Sequence, residues 1–98
     1  MKLFFEADAK AEFIETALWY NRQRPGLGNE FKAEVKQAIK AAQTNPEKFR
    51  KALADARKIR LKRFRKYAVY FAIEAGVFSV LAVFHESRNP DELKRRLK

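Results

Sequence analysis

Tyr67-Ala68-Val69-Tyr70-Phe71-Ala72-Ile73-Glu74-Ala75-Gly76-Val77-Phe78-Ser79-Val80-Leu81-Ala82-Val83-Phe84 reads as two strands and the tight turn between them. β-Branched and aromatic side chains dominate it, as they do on pleated, half-buried surfaces. Tyr67, Val69, Phe71 and Ile73 alternate with Ala68, Tyr70 and Ala72, so both faces of the first strand carry apolar groups. Ala75-Gly76 marks the turn. The run from Val77 to Phe84 is apolar except for Ser79, the pattern of an interior strand covered on both sides. Immediately upstream, Ile59 and Leu61 alternate with Lys58, Arg60 and Lys62, which predicts a strand with one buried and one strongly basic face. Arg65-Lys66 is then the turn, and three strands with short connections predict an antiparallel meander.

Further upstream the apolar period changes from two to that of a helix. Leu27, Phe31, Val35, Ala38, Ile39 and Ala42 share one face, with Lys32, Glu34, Lys36 and Lys40 elsewhere. Thr44-Asn45-Pro46 ends that helix, because the residue before proline is pushed out of the α region. Phe13, Ile14, Ala17, Leu18 and Asn21 predict the face of an earlier helix, with Asp8 as its N-cap and Glu12 and Glu15 toward its positive end. Arg24-Pro25-Gly26-Leu27-Gly28 separates the two, so they predict an antiparallel hairpin. Leu3-Phe4-Phe5 suits an edge strand or a packed N-terminal arm. After Asn89-Pro90, Asp91 to Lys98 suits a short basic helix with Leu93 and Leu97 on one side. The class is therefore α+β: one domain over residues 1–98, a helix hairpin packed on a small antiparallel sheet, in the order β-α-α-β-β-β-α. Two helices cover only one sheet face, so the other is predicted to be partly exposed.

Charge is the most uneven property of the chain. Between Glu47 and Phe71 stand ten Lys or Arg against two acids, a local +8 of the formal +10. Such a cluster attracts polyanions or an acidic protein, whereas charge serving solubility is interspersed. A hydrophobic fraction of 47% with nine Phe argues against disorder and for a packed core. Having no cysteine excludes disulfides, thiolate metal sites and thiol nucleophiles, and fits a reducing compartment. Met1-Lys2-Leu3-Phe4-Phe5-Glu6 reaches an acid before a signal-peptide apolar region can form, and no run approaches a membrane span. These features predict a soluble cytoplasmic protein without a membrane partner.

His85 is the only histidine, and its side chain has the natural pKa range for a general acid or base. A lone histidine at a strand end is more commonly a packing or hydrogen-bonding residue. One His with scattered acids does not make a metal ligand set, and Gly26 and Gly28 precede no catalytic lysine. Neither a metal nor a cofactor is therefore expected. Metal-free RNA cleavage stays chemically open, with Arg60, Arg63, Arg65 and Arg88 as cations and His85, Glu86 or Tyr70 for proton transfer. Trp19-Tyr20 suits either a base-stacking platform or, preferably, closure of the core under a turn. Phe49 is read as an anchor for the loop, and of Tyr67 and Tyr70 only the one on the outer face would reach a partner.

Several stretches, taken in order, carry a resemblance. They are Ala17-Leu18-Trp19-Tyr20, Arg24-Pro25-Gly26-Leu27-Gly28 with Phe31, Asn45-Pro46, and the basic strand into Arg63-Phe64 and Tyr67-Ala68-Val69-Tyr70. The last is Val80-Leu81-Ala82-Val83-Phe84-His85 with Arg88-Asn89-Pro90. Over almost the whole chain the sequence resembles the toxins of the RelE/ParE superfamily of bacterial type II toxin–antitoxin systems, and looks closest to the ParE-type, plasmid-stabilisation branch.

The resemblance implies a growth-inhibiting toxin of the bacterial cytoplasm, bound and neutralised by a cognate antitoxin in a hetero-oligomer. ParE-like members poison DNA gyrase and are not hydrolases. RelE-like members are mRNA interferases that cleave message on the ribosome without a metal, and a decayed, non-toxic binding module is a third class. RelE-like nucleases commonly carry a Tyr or His-Tyr pair near the C-terminus, whereas here Glu86 follows His85 and the tail has no aromatic. Trp19-Tyr20 with Pro25-Gly26-Leu27-Gly28 looks more like the ParE-type branch, and with that departure the ParE-like reading is preferred, the RelE-like one staying open through Arg63, Arg65 and His85. Arg60, Lys62, Arg63, Arg65 and Arg88 are the residues expected to meet target or antitoxin. For a nuclease the catalytic set would be His85, Arg63, Arg65 and Arg88.

Overall fold

The helix hairpin and the meander both form, but the basic strand ends at Arg60, so Leu61 and Lys62, read as its continuation, lie in the loop that precedes the next strand. The computed structural model describes residues 1–97, so Lys98 of the predicted last helix lies outside the described residues. The elements are β1 (Lys2–Phe5), α1 (Ala7–Gln23), α2 (Leu27–Thr44), a 3₁₀ turn (Pro46–Lys48), β2 (Lys51–Leu53), β3 (Ala56–Arg60), β4 (Tyr67–Glu74), β5 (Val77–His85) and α3 (Pro90–Arg96).

The five strands lie in the order β1-β5-β4-β3-β2. From β2 to β5 every pairing is antiparallel, with Ile59 opposite Val69 and Val69 opposite Val83. β1 is parallel to β5, Lys2 facing Val77 and Phe5 facing Val80, so the sheet is mixed. The reason is the connection: β1 leads into α1 instead of turning back through a hairpin. Two hairpin turns hold alanines at positive φ, Ala54 at 49° and Ala75 at 53°, where glycine or asparagine would sit with less strain.

α1 and α2 cross on one face of the sheet. Phe31, Val35 and Ile39 from α2 pack with Ile59, Val69, Phe71, Phe78, Val80 and Val83, and Phe71 stacks on Phe78 at 4.5 Å between centroids. The buried line of α1 differs from the predicted one. Ala9, Phe13, Ala17 and Tyr20 face the core, whereas Ile14, Leu18 and Trp19 are 43%, 53% and 48% exposed. Close approach between the helices explains the rotation. A Cβ on Gly28 would stand 2.0 Å from the Ala17 carbonyl oxygen, so the helices meet backbone to backbone there and Ile14 and Leu18 turn outward. Asp8 sits within the first turn of α1 and does not cap it; Glu6 holds the cap position.

The second face is covered more fully than two helices would allow. α3 lays Leu93 over Ala68, Tyr70, Ala82 and Phe84, all buried. Parity along β5 changes midway: pairing steps from Tyr70–Ala82 to Phe71–Val80, leaving Leu81 as the extra residue of a β-bulge. Val80 and Val83, three apart, therefore both face the hairpin.

Candidate functional site

The basic strand ends at Arg60 and continues into the loop 61–66. Leu61 and Phe64 are buried, and Phe64 packs edge-on against Phe31 at 5.3 Å and Tyr20 at 4.9 Å. With those two side chains pinned inward, Arg60, Lys62, Arg63 and Arg65 are left exposed at one end of the sheet. The four residues named from sequence thus do come together. α2 holds the loop from the other side: the Arg63 backbone N–H donates to Glu34 at 3.1 Å, and the Arg63 guanidinium pairs with Glu30. That hydrogen bond, with the charges of Arg63 and Arg24 beside it, keeps the Glu30 carboxyl below the usual carboxylate range. Arg60 reaches Glu86 at 3.7 Å across an exposed surface, a pair of little energetic weight. Lys62 and Arg65 have no ion-pair partner among the described residues.

A groove of about 400 Å³ runs between α2 and β3 beside this loop. Ala38, Ala41, Phe49, Ile59 and Leu61 form its apolar floor, Lys48, Arg60 and Lys62 stand on its rim, and Glu34, held by the Arg63 N–H, and Gln37 line its α2 side. Phe49 does anchor the preceding loop, edge-on to Phe71 at 6.2 Å. An apolar floor under a cationic rim suits an amphipathic segment with acidic side chains.

Of the proton-transfer candidates, Tyr70 and Glu86 come together and His85 stands apart. His85 lies on the hairpin side, edge-on to Tyr67 at 4.8 Å. Its Nδ1 accepts from the Ser87 backbone N–H at 3.0 Å, which places the proton of the neutral ring on Nε2. Tyr70 lies on the opposite side, 8% exposed, with the Lys58 ammonium 5.8 Å from its ring centre. The cavity there, between Arg60, Arg65, Lys66, Tyr70 and Glu86, holds about 30 Å³. That is a shallow site with room for about one water. Of the aromatic pair, Tyr20 closes the core beneath the loop, and burial and the neighbouring Tyr67 push its hydroxyl pKa up; Trp19 remains half exposed.

Arg88 is set apart from the other four cations. Its guanidinium lies 4.3 Å over the Phe84 ring and pairs with Glu12 and Glu92. Burial works against its charge, but the hydrogen bonds to Glu12 and Glu92 outweigh that and raise its pKa. Glu12 is the centre of a partly buried polar cluster that the sequence reading missed. Its carboxylate accepts from the Val83 backbone N–H at 3.0 Å, from Arg88 at 2.5 Å and from Arg96 at 2.7 Å. Arg96 also donates to the Leu81 carbonyl at 2.8 Å. β1 pairs with β5 only as far as Val80, so Leu81 and Val83 present unpaired backbone at the sheet edge. α1 and α3, on opposite faces, meet around that edge to satisfy it. The only sequence trace of this arrangement is one acid on α1 and two arginines far downstream, which no periodicity connects.

A family model described as "ParE toxin of type II toxin-antitoxin system, parDE" matches residues 3–90. No curated protein matches the sequence. Among solved structures, the fold is similar to a chain described as "Chromosomal ParDE TA system from P. aeruginosa", with a TM-score of 0.74 at 15% identity. The match covers 87% of this chain and 95% of that one, and at this identity it bears on the fold.

Proposed function

This chain belongs to the ParE toxin family of type II toxin–antitoxin systems, and from that premise we propose that it arrests bacterial growth by acting on DNA gyrase and is neutralised by a cognate antitoxin. The observation that supports this choice of target is that His85 faces the helix hairpin, away from the cavity where Arg60, Arg65, Tyr70 and Glu86 converge, and that this cavity holds only about 30 Å³. A ribonuclease needs a base, an acid and a phosphate cradle around one scissile bond. A gyrase-binding toxin needs only a charged, well-held surface, which the loop 61–66 provides.

The groove between α2 and β3 is the proposed seat of an acidic amphipathic antitoxin segment, with Arg60 and Lys62 as rim contacts. Lys62 and Arg65 are the proposed target contacts, and Arg63 holds the loop through Glu30 and Glu34. Arg88 acts in this reading by positioning α3. The toxin works in the bacterial cytoplasm, in a hetero-oligomer with its antitoxin when inactive.

A gyrase supercoiling assay with purified chain, ATP and relaxed plasmid tests the target. Loss of supercoiling with trapped cleaved DNA is the expected result. Normal supercoiling by gyrase in the presence of a folded chain that still arrests growth would move the target to ribosome-bound message. Arg60→Glu with Lys62→Glu should weaken antitoxin binding; unchanged binding and unchanged toxicity would remove this surface from the mechanism. His85→Ala should leave toxicity within a few-fold, against a loss of ~10²–10⁴ in rate if the ring transferred protons.

A further inference from the structure

β1 is an open sheet edge. Natural edges are blunted by charged side chains, lysine above all, by proline, by a bulge or by a covering element, and β1 carries one such residue, Lys2, at its start. The middle of this strand, Leu3-Phe4-Phe5, has none of these, and Leu3 and Phe4 are 45% and 51% exposed. The apolar surface continues onto α1: Lys10, Phe13 and Ile14 flank Leu3 and Phe4 along an open groove of about 400 Å³, and Leu18 extends the Ile14 row. Lys2, the first residue of the strand, and Glu6, the α1 cap residue just past its end, are exposed and have no ion-pair partner among the described residues.

Backbone polarity fixes which pairing this edge can accept. The Lys2 N–H donates to the Gly76 carbonyl at 3.2 Å and the Glu6 N–H to the Val80 carbonyl at 2.9 Å, so residues 2, 4 and 6 turn their amides toward β5. Leu3 and Phe5 therefore point their N–H and C=O groups out of the sheet. Lys2-Leu3-Phe4-Phe5-Glu6 is also self-complementary when read in opposite directions. With a two-fold axis at Phe4, Leu3 of one copy opposes Phe5 of the other, twice, at hydrogen-bonded positions where both have free backbone groups. Phe4 meets Phe4, and Lys2 meets Glu6 at each end, at the non-hydrogen-bonded positions where side chains come closest. The same axis brings the Ile14–Leu18 rows of two α1 helices to one side of the joined sheet.

We propose that β1 is a homodimer interface, joining two copies of this chain antiparallel in the register Leu3–Phe5 into a continuous ten-stranded sheet. A second copy is favoured over a foreign strand because charge, backbone parity and the apolar row all match the chain's own sequence. This surface is separate from the groove beside α2 and does not depend on the choice of toxin target.

Sedimentation velocity of the full chain, at the ~0.15 M ionic strength that screens long-range repulsion between copies, is the first readout. The native chain is expected to dimerise at micromolar concentration. Glu6→Lys should raise the dimer Kd by about ten- to a hundred-fold, since two attractive pairs become repulsive. The combined Lys2→Glu, Glu6→Lys variant should restore it, which separates the interface from any loss of folding. The register has its own test in a chain without cysteine. Phe4→Cys should form a disulfide-linked dimer on oxidation with diamide, because Cα atoms at that position are about 4.5 Å apart. Leu3→Cys, whose copies stand about 8–9 Å apart, should not. A native chain that stays monomeric, a charge swap that fails to restore association, or cross-linking through Leu3→Cys instead of Phe4→Cys would each overturn the proposal. Cross-linking of Phe4→Cys to an antitoxin strand by a monomeric toxin would likewise overturn it.

Discussion

Replacing Glu12 by alanine removes the one side chain that serves both helices on either side of the sheet edge. Its carboxylate is 12% exposed and takes hydrogen bonds from Val83, Arg88 and Arg96. Orphaning the Val83 N–H costs about 1–3 kcal/mol. Removing one partner of a fully buried ion pair costs about 3–5 kcal/mol, which is an upper bound for this partly exposed cluster. The two do not add in full, because Arg88 is 35% exposed and regains water, and Arg96 keeps the Leu81 carbonyl and Asp8 at 3.6 Å. The net expectation for Glu12→Ala is a loss of about 3 kcal/mol, or about 12–24 °C in Tm for a domain of this size. Glu12→Gln keeps an acceptor for Val83 and loses only the charge, so about 1–1.5 kcal/mol is expected. Urea unfolding followed by circular dichroism measures both, and hydrogen exchange at residues 90–96 should quicken in the alanine variant as α3 loosens. If Glu12→Ala unfolded within about 0.5 kcal/mol of the parent, as an ordinary surface change does, the cluster would have no structural role.

Three further outcomes follow from local geometry. Gly28→Ala drives a Cβ to 2.0 Å from the Ala17 carbonyl oxygen and disturbs the 2.7 Å bond from the Gly28 N–H to Asn21, so thermal melting should show a loss of at least about 2–3 kcal/mol. Ala75→Asn, at φ 53° before Gly76 at φ 78°, should raise the melting temperature by a few degrees, about 0.5–1 kcal/mol, because asparagine tolerates the left-handed region better. Glu30 has its carboxyl pKa lowered by Arg63, so its contribution is present above the unfolded value of 4.5 and fades as pH falls through the folded value. Glu30→Gln should therefore flatten that part of the acid limb in a series of melts below pH 5, and an unchanged limb would refute the assignment.

The parts of the fold that repeat were legible in the sequence, and the parts that depend on single long-range contacts were not. The α2 face, from Leu27 through Phe31, Val35 and Ile39 to Ala42, is a periodic signal repeated over several turns. β3, β4 and β5 are legible for the same reason. α1 misled by about one residue because its orientation is set at one point, where Ala17 meets Gly28, and small residues leave little hydrophobic signal. The parallel placement of β1 and the bulge at Leu81 likewise leave no local signature. Of the candidate site, Arg60, Lys62, Arg63 and Arg65 were legible because four cations fall within six residues that alternate with buried Leu61 and Phe64. Arg88 was legible as a cation but not as a partner of Glu12, which is 76 residues away.

The bulge ties these observations together. Without the extra residue at Leu81, Val83 would turn to the α3 face and Phe84 to the hairpin core, because a one-residue slip reverses every side chain beyond it. The bulge keeps Val80 and Val83 under the helices while Ala82 and Phe84 face α3, so one strand serves two cores. It sits beyond the end of β1, at an edge where the Leu81 carbonyl and Val83 N–H need partners, and Arg96 and Glu12 supply them. The shortness of β1 is thus what makes room for the polar cluster that fastens α3. β1's outer edge lies one strand further out and free of that cluster, while the cationic loop 61–66 joins β3 to β4 on the other side of β5. The proposed self-pairing edge thus lies across the sheet from the cationic loop and the groove between α2 and β3, which share Arg60 and Lys62, so substitutions in β1 can be made without touching either.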